Sequence, residues 1–195
     1  KQNVTLALGE DVSARLLLET HEDSTRLQRG MLNLGGGAAG LPGQPGLLVM
    51  GRLDSLRLPD WQPLMGGGMG GGDAAAGFPV RLELDIGELH ALGYQANGLQ
   101  LSSVSAEGNS TISIDGESNQ GEIELTHAAH GIDKVVMNMQ RLAFNKSADA
   151  APLSEQRMTP ADLPELQLSA SELLYNDVSY GQFDLKADAV ADNQY

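Results

Sequence analysis

Between Val80 and Ile86 the chain alternates without a fault. Val80, Leu82, Leu84 and Ile86 are aliphatic, and Arg81, Glu83 and Asp85 between them are charged. A strand sends successive side chains to opposite faces, so this segment separates oil from charge only as a β-strand. The same rule reads strands at about 12–20, 24–34, 47–58, 93–106, 109–115, 121–127, 133–146, 164–175 and 178–189. Turn residues punctuate them at Glu107-Gly108-Asn109, Ser118-Asn119-Gln120-Gly121 and Tyr175-Asn176-Asp177. No segment holds a helical period. One short helix is expected near 60–65, with Asp60 as N-cap before Trp61 and Pro63 in the first turn. The expected class is all-β, built from antiparallel strands.

An internal repeat underlies the strands. Residues 82–101 align without gaps on 166–185, so that Leu82, Leu84, Glu88, Leu89 and Leu101 match Leu166, Leu168, Glu172, Leu173 and Leu185. Both copies break parity at the same place. The apolar positions step by two and then by three, as Leu84, Ile86, Leu89 and as Leu168, Ala170, Leu173. One extra residue in a strand is a β-bulge, and it restores the buried face after a bend. The step recurs in Gly51, Leu53, Leu56, Leu58 and in Met137, Met139, Leu142, Phe144. Four such strands suggest a stacked antiparallel array.

Composition narrows the function. Twelve Lys and Arg face 26 Asp and Glu, a formal charge of -14. That disfavours nucleic acid, whose phosphates need clustered cations. With no Cys there is neither a disulfide nor thiolate chemistry. No apolar run approaches the length of a membrane-spanning helix. Gly is frequent, at 24 of 195 residues, and much of it falls in two segments, 35–46 and 66–77. These, with the polar stretch 147–162, are expected to be flexible loops within a single domain over 1–195. The chain starts at Lys1 without a signal-like segment, which reads as a piece of a longer protein.

Catalytic signatures fail on context. Gly35-Gly36-Gly37-Ala38-Ala39-Gly40 fits a dinucleotide fingerprint, but Pro42, Gly43, Pro45 and Gly46 forbid the helix that must follow. Gly116-Glu117-Ser118-Asn119-Gln120-Gly121 is one residue too long for a nucleophile elbow and sits in a hairpin turn. His127 and His130 are read as a solvated loop pair, since a metal site usually needs three or four ligands and no carboxylate cluster lies close in sequence. Glu83, Asp85, Glu122 and Glu124 fit a wet strand face. A glycosidase pair could be assembled from such acids only in space, and sugar-stacking aromatics are scarce at 4%. Asn3-Val4-Thr5, Asn109-Ser110-Thr111 and Asn145-Lys146-Ser147 are sequons that matter only in a eukaryotic secretory setting. The expectation is no enzyme, no metal and no cofactor.

At the repeat the sequence resembles a known family. The run from Pro79 through Tyr94, and the run from Met158 to Leu173 followed by Tyr180-Gly181-Gln182-Phe183-Asp184-Leu185, resemble units of the YhdP branch of AsmA-like proteins. The segment from Gly51 to Trp61 looks like the strand-to-Trp element that precedes such units, and the Gly/Met loop at 66–77 departs from the pattern. The resemblance implies a large Gram-negative envelope protein, anchored in the inner membrane and crossing the periplasm. Its repeating units would form a strongly bent sheet, open as a groove or half-barrel, that carries phospholipid between inner and outer membranes. Its partners would be acyl chains and the neighbouring β units. Cut edges of the sheet would be open to pairing between molecules.

Physical reasoning leads the same way by a weaker route. An aliphatic sheet face must be covered by a second sheet, by closure, or by something apolar. Acyl chains suit aliphatic walls, at about 0.8 kcal/mol per buried CH₂. The residues expected to line the groove are Val80, Leu82, Leu84, Ile86, Leu89, Leu99, Leu101, Leu166, Leu168, Leu173, Phe183 and Leu185. The alternative is a structural or protein-binding envelope module with a dry core. A third reading, a hydrolase, would need acids or a Ser–His pair meeting in a cleft.

Overall fold

Each alternating segment is a strand in the computed structural model, which describes residues 1–21, 24–57, 78–91, 93–106, 108–128, 131–146 and 164–188. In chain order these are β1 (Gln2–Leu8), β2 (Val12–His21), β3 (Ser24–Leu34), β4 (Gly46–Arg57), β5 (Val80–Ala91), β6 (Tyr94–Ala106), β7 (Asn109–Gly116), β8 (Gln120–Ala128), β9 (Gly131–Lys146), β10 (Glu165–Tyr175) and β11 (Val178–Ala187). β1 was not expected, although Val4, Leu6 and Leu8 alternate there too. There is no helix among the described residues, and the helix expected at 60–65 lies outside them.

All eleven strands form one sheet in sequence order. β1 pairs only with β2 and β11 only with β10, so the sheet is not a closed barrel. It is mostly antiparallel, but three joints are parallel, β3–β4, β4–β5 and β9–β10. The reason lies in the connections. Antiparallel neighbours are joined by two- or three-residue turns, whereas a parallel pair needs a long crossover. The crossovers are 35–45, 58–79 and 147–164, and the three segments read as loops from composition fall on them. The Gly/Met run 66–77 and the stretch 147–162 lie outside the described residues.

The first crossover has a defined path. Arg29 Nη1 donates to the Pro42 carbonyl at 3.2 Å, the Gly40 amide donates to Met31 Sδ at 3.2 Å, and Asn33 Nδ2 donates to the Gly36 carbonyl at 2.9 Å. Arg29, Met31 and Asn33 point to the same face of β3, so this segment lies over that face. The opposite face, carrying Gly30, Leu32 and Leu34, stays with the aliphatic ladder.

The three-residue step is a shared kink, not an isolated bulge. β4 pairs with β5 in constant register through it, from Leu53↔Ile86 to Ser55↔Glu88. β5 pairs with β6 likewise, from Ile86↔Leu99 to Glu88↔Asn97. Each strand therefore carries its own extra residue, and Asp54, Gly87 and Gly98 line up across the sheet. A Cβ on Gly87 would meet the Asp54 carbonyl at 2.6 Å, and Gly98 has φ of 61°. β9 and β10 repeat the arrangement, with unbroken register from Ala170↔Met139 to Glu172↔Arg141. Against the outer neighbours the register slips, between Gln120 and Gly121 where β8 meets β9, and at Ala170/Leu173 and Leu173/Leu174 where β10 meets β11. The repeating unit is thus a strand followed by a parallel hairpin, β4 with β5–β6 and β9 with β10–β11.

The kink falls where the short hairpin β7–β8 ends. Below its turn β6 and β9 meet directly, pairing Tyr94 with Lys146 and Gln95 with Asn145. Asn119 plugs this junction. It is 6% exposed, and its Oδ1 accepts from the Ala143 amide at 2.9 Å. Asn119→Ala would leave that amide without a partner, and the expected cost is about 1–3 kcal/mol in chemical denaturation. A change within error of zero would show that water replaces the side chain without loss.

Candidate functional site

The cross-strand registers carry one face from edge to edge. Residues paired across a ladder share a face, so Leu84 is linked through Gly51 and Leu34 to Val12 and Leu8 on one side. On the other side it is linked through Leu101, Ile114 and Gly121 to Met139, Ala170 and Phe183. All twelve residues named from the sequence fall on this face. Val80, Leu82, Leu84, Ile86, Leu89, Leu99 and Leu101 are in β5 and β6, and Leu166, Leu168, Leu173, Phe183 and Leu185 are in β10 and β11.

Their surroundings differ. Leu84, Ile86 and Leu99 belong to a packed cluster with Leu34, Val49 and Leu56, and Ile86 and Leu99 are each only 2% exposed. Val80 is partly buried, and Leu82, Leu89 and Leu101 flank that cluster. A second cluster of Met139, Leu142 and Ala170 takes in Leu168 and Leu173, with the partly buried Leu166 on the same ladder. Phe183 and Leu185 are open, at 37% and 42% exposure. At the far edge Leu6 and Leu8 are more exposed still. The face is therefore dry in the middle and uncovered at both ends.

The other face is polar. Arg81, Glu83 and Asp85 stand there beside Gln100, Ser102, Ser113 and Asp115. An open hollow of about 600 Å³ on this side is lined by Arg52, Glu83, Asp85, Gln100 and Asp115 among others. Ion pairs stitch the parallel joint β9–β10, Lys134 to Glu165 at 3.0 Å and Arg141 to Glu172 at 3.0 Å. The hydrogen bond from Lys134 holds the Glu165 carboxyl below its ordinary pKa. No group of three or more metal-ligating side chains occurs among the described residues.

One arrangement was missed from sequence. His127 lies in β8, not in a loop, and its Nε2 is 3.0 Å from Ser110 Oγ. His130 lies outside the described residues. Ser110 is buried and donates to Ser105 Oγ at 2.7 Å. With that direction Ser110 accepts from the imidazole, and the roles in the contact are set by the tautomer of His127. A nucleophile needs the reverse, a base accepting its proton. Neither residue lines the open hollow of the polar face. The contact ties β6, β7 and β8 together across their ends. The signal available in advance was the ladder itself, which sets Ser110 beside Ser105.

Fold and face together define an open, one-sided β-sheet protein of repeating kinked units with a continuous aliphatic lining. The sequence matches the family described as YhdP protein over residues 1–194. The chain belongs to the YhdP family, a bacterial envelope family associated with lipid transport. No curated protein and no solved structure gives a match.

Proposed function

We propose that this chain is a stretch of a non-catalytic trough that carries phospholipid between the inner and outer membranes of a Gram-negative envelope. The trough works in the periplasm, within a longer protein anchored in the inner membrane. The observation that carries the reading is the aliphatic face, continuous over eleven strands and left open at both ends, with the first crossover lying on the opposite side. Acyl chains gain about 0.8 kcal/mol per CH₂ on such a surface, which matches rather than exceeds what a bilayer offers. A lipid can therefore slide along the face without being trapped. The open edges β1 and β11 are where neighbouring β units would continue the sheet, and pairing of these edges between isolated copies follows from the same unpaired backbone.

A dry structural or protein-binding module would look like the middle of this sheet, where Ile86 and Leu99 are sealed. It gives no reason for Phe183, Leu185, Leu6 and Leu8 to lie bare on the same face. Because Leu84 is packed, the informative positions for a photo-crosslinker in the full-length protein are Leu185 and, on the polar face, Asp184. Leu185 is expected to capture phospholipid in cells and Asp184 to capture none. Equal labelling at the two positions would remove the trough.

A further inference from the structure

Among the described strand residues that have a ladder partner on the aliphatic face, Lys146 is the only Asp, Glu, Lys or Arg, and the one His there, His127, is in contact with Ser110. Lys146 stands opposite Tyr94, at the end of β9. The other cations of β9–β11 lie on the polar face and are engaged, Lys134 by Glu165, Arg141 by Glu172 and Lys186 by Asp188. Lys146 has no such ion pair among the described residues, and its side chain is exposed.

Three of the eight aromatics, Tyr94, Phe144 and Tyr175, stand beside it. Tyr94 packs edge-on against Phe144 with ring centroids 5.2 Å apart, and Tyr175 pairs with Phe144 from β10. Tyr94 and Tyr175 are partly exposed. The backbone beneath is fixed from two directions. The Lys146 amide donates to Asn176 Oδ1 at 3.1 Å, and the Asn176 amide donates to the Phe144 carbonyl at 3.0 Å. Asn176 and Asp177 both have positive φ, so a tight hairpin turn holds this cap in place.

We infer that Lys146, with the phenol groups of Tyr94 and Tyr175 beside it, binds the phosphate of a phospholipid whose chains lie on the aliphatic face, an assignment that rests on the trough reading above. Charge complementarity selects the phosphate, because an ammonium on a face otherwise free of unpaired charge has one kind of partner to gain. Length agrees. One leaflet's chains span about 15 Å, half the hydrocarbon core of a bilayer, which is about five residues of strand. Chains running from Lys146 along β9 would start on the partly buried Phe144 and continue over the packed cluster of Leu142 and Met139. Tyr and Lys at the boundary between oil and water are the groups that prefer such a margin.

The test uses the whole chain with two photoactivatable lipids, a diazirine-bearing phosphatidylglycerol and the matching diacylglycerol without phosphate. Lys146→Gln should lower capture of the phospholipid about tenfold, the loss of one charge-assisted hydrogen bond. Lys146→Arg should retain capture, and capture of the diacylglycerol should be the same in all three proteins. Unchanged phospholipid capture by Lys146→Gln overturns the inference, and so does an equal fall for both lipids. Millimolar inorganic phosphate that competes away the Lys146-dependent part would assign the site to the free anion instead. Capture of neither lipid by the unmodified chain would sink the trough itself, whereas capture indifferent to Lys146 sinks only this assignment.

Discussion

Gly51→Ala is expected to cost about 3–5 kcal/mol, summing backbone strain and overpacking, and so to bring the chain close to unfolding. Gly51 sits in β4 with φ of 140°, a conformation that L side chains rarely adopt. A Cβ built there would lie 1.9 Å from the Leu34 carbonyl oxygen and 2.7 Å from its carbon. Both atoms belong to the backbone of β3, so no rotamer change relieves the clash. Relief requires opening the parallel joint at Leu34↔Gly51, where Leu34 is part of the central cluster. Gly40 is the control. It has no positive φ and nothing within 4 Å of a built Cβ, so Gly40→Ala should stay within about 0.5 kcal/mol. Equal denaturation midpoints for the two variants would show that the close approach at Gly51 is not held in solution.

The same glycine shows what alternation can and cannot tell. The pattern Gly51, Leu53, Leu56 announced a strand and its kink, and the aliphatic side of every later strand followed from counting. Strand direction was hidden, because a half-buried strand alternates identically whether its neighbour is parallel or antiparallel. Only the length of the crossovers at 35–45, 58–79 and 147–164 carries that information. The kink was legible as an extra residue in each strand. That Asp54, Gly87 and Gly98 fall in line needs the pairing.

The site was legible to a similar depth. All twelve candidate residues share a face, yet which of them are sealed and which are bare depends on distance from the open edges. Leu101 and Leu185 occupy matching places in the repeat, but Leu101 packs against the central cluster from β6 and Leu185 stands in the edge strand β11. Lys146 was passed over for a different reason. The step through Met139, Leu142 and Phe144 already puts residue 146 on the aliphatic side by counting. What counting does not supply is the β6–β9 pairing that sets Tyr94 opposite it.

Ile86→Asp should destabilise the chain by about 3–5 kcal/mol at neutral pH, the penalty for a buried charge without a partner. Ile86 is the most sealed large side chain of the face, and its ladder neighbours are Leu53 and Leu99. No cation on that face lies within reach of it in the ladder, so an introduced carboxylate has nothing to pair with. Burial there raises its folded-state pKa above the unfolded value of about 3.9. The charge penalty is then absent below the unfolded value and grows as pH climbs through the interval up to the folded pKa. Ile86→Asn loses the same packing without this dependence, so the gap between the two variants in denaturant should close as pH falls toward 4. A gap that stays constant with pH would mean that water reaches position 86. Leu185→Asp makes the comparison on the same face at its open end. With the side chain already 42% exposed, its stability should change by less than about 1 kcal/mol, while lipid capture by the trough should fall. A face that is sealed at Ile86 and wetted at Leu185 is what a passage for hydrocarbon requires: a floor that does not yield and a surface that still has area to cover.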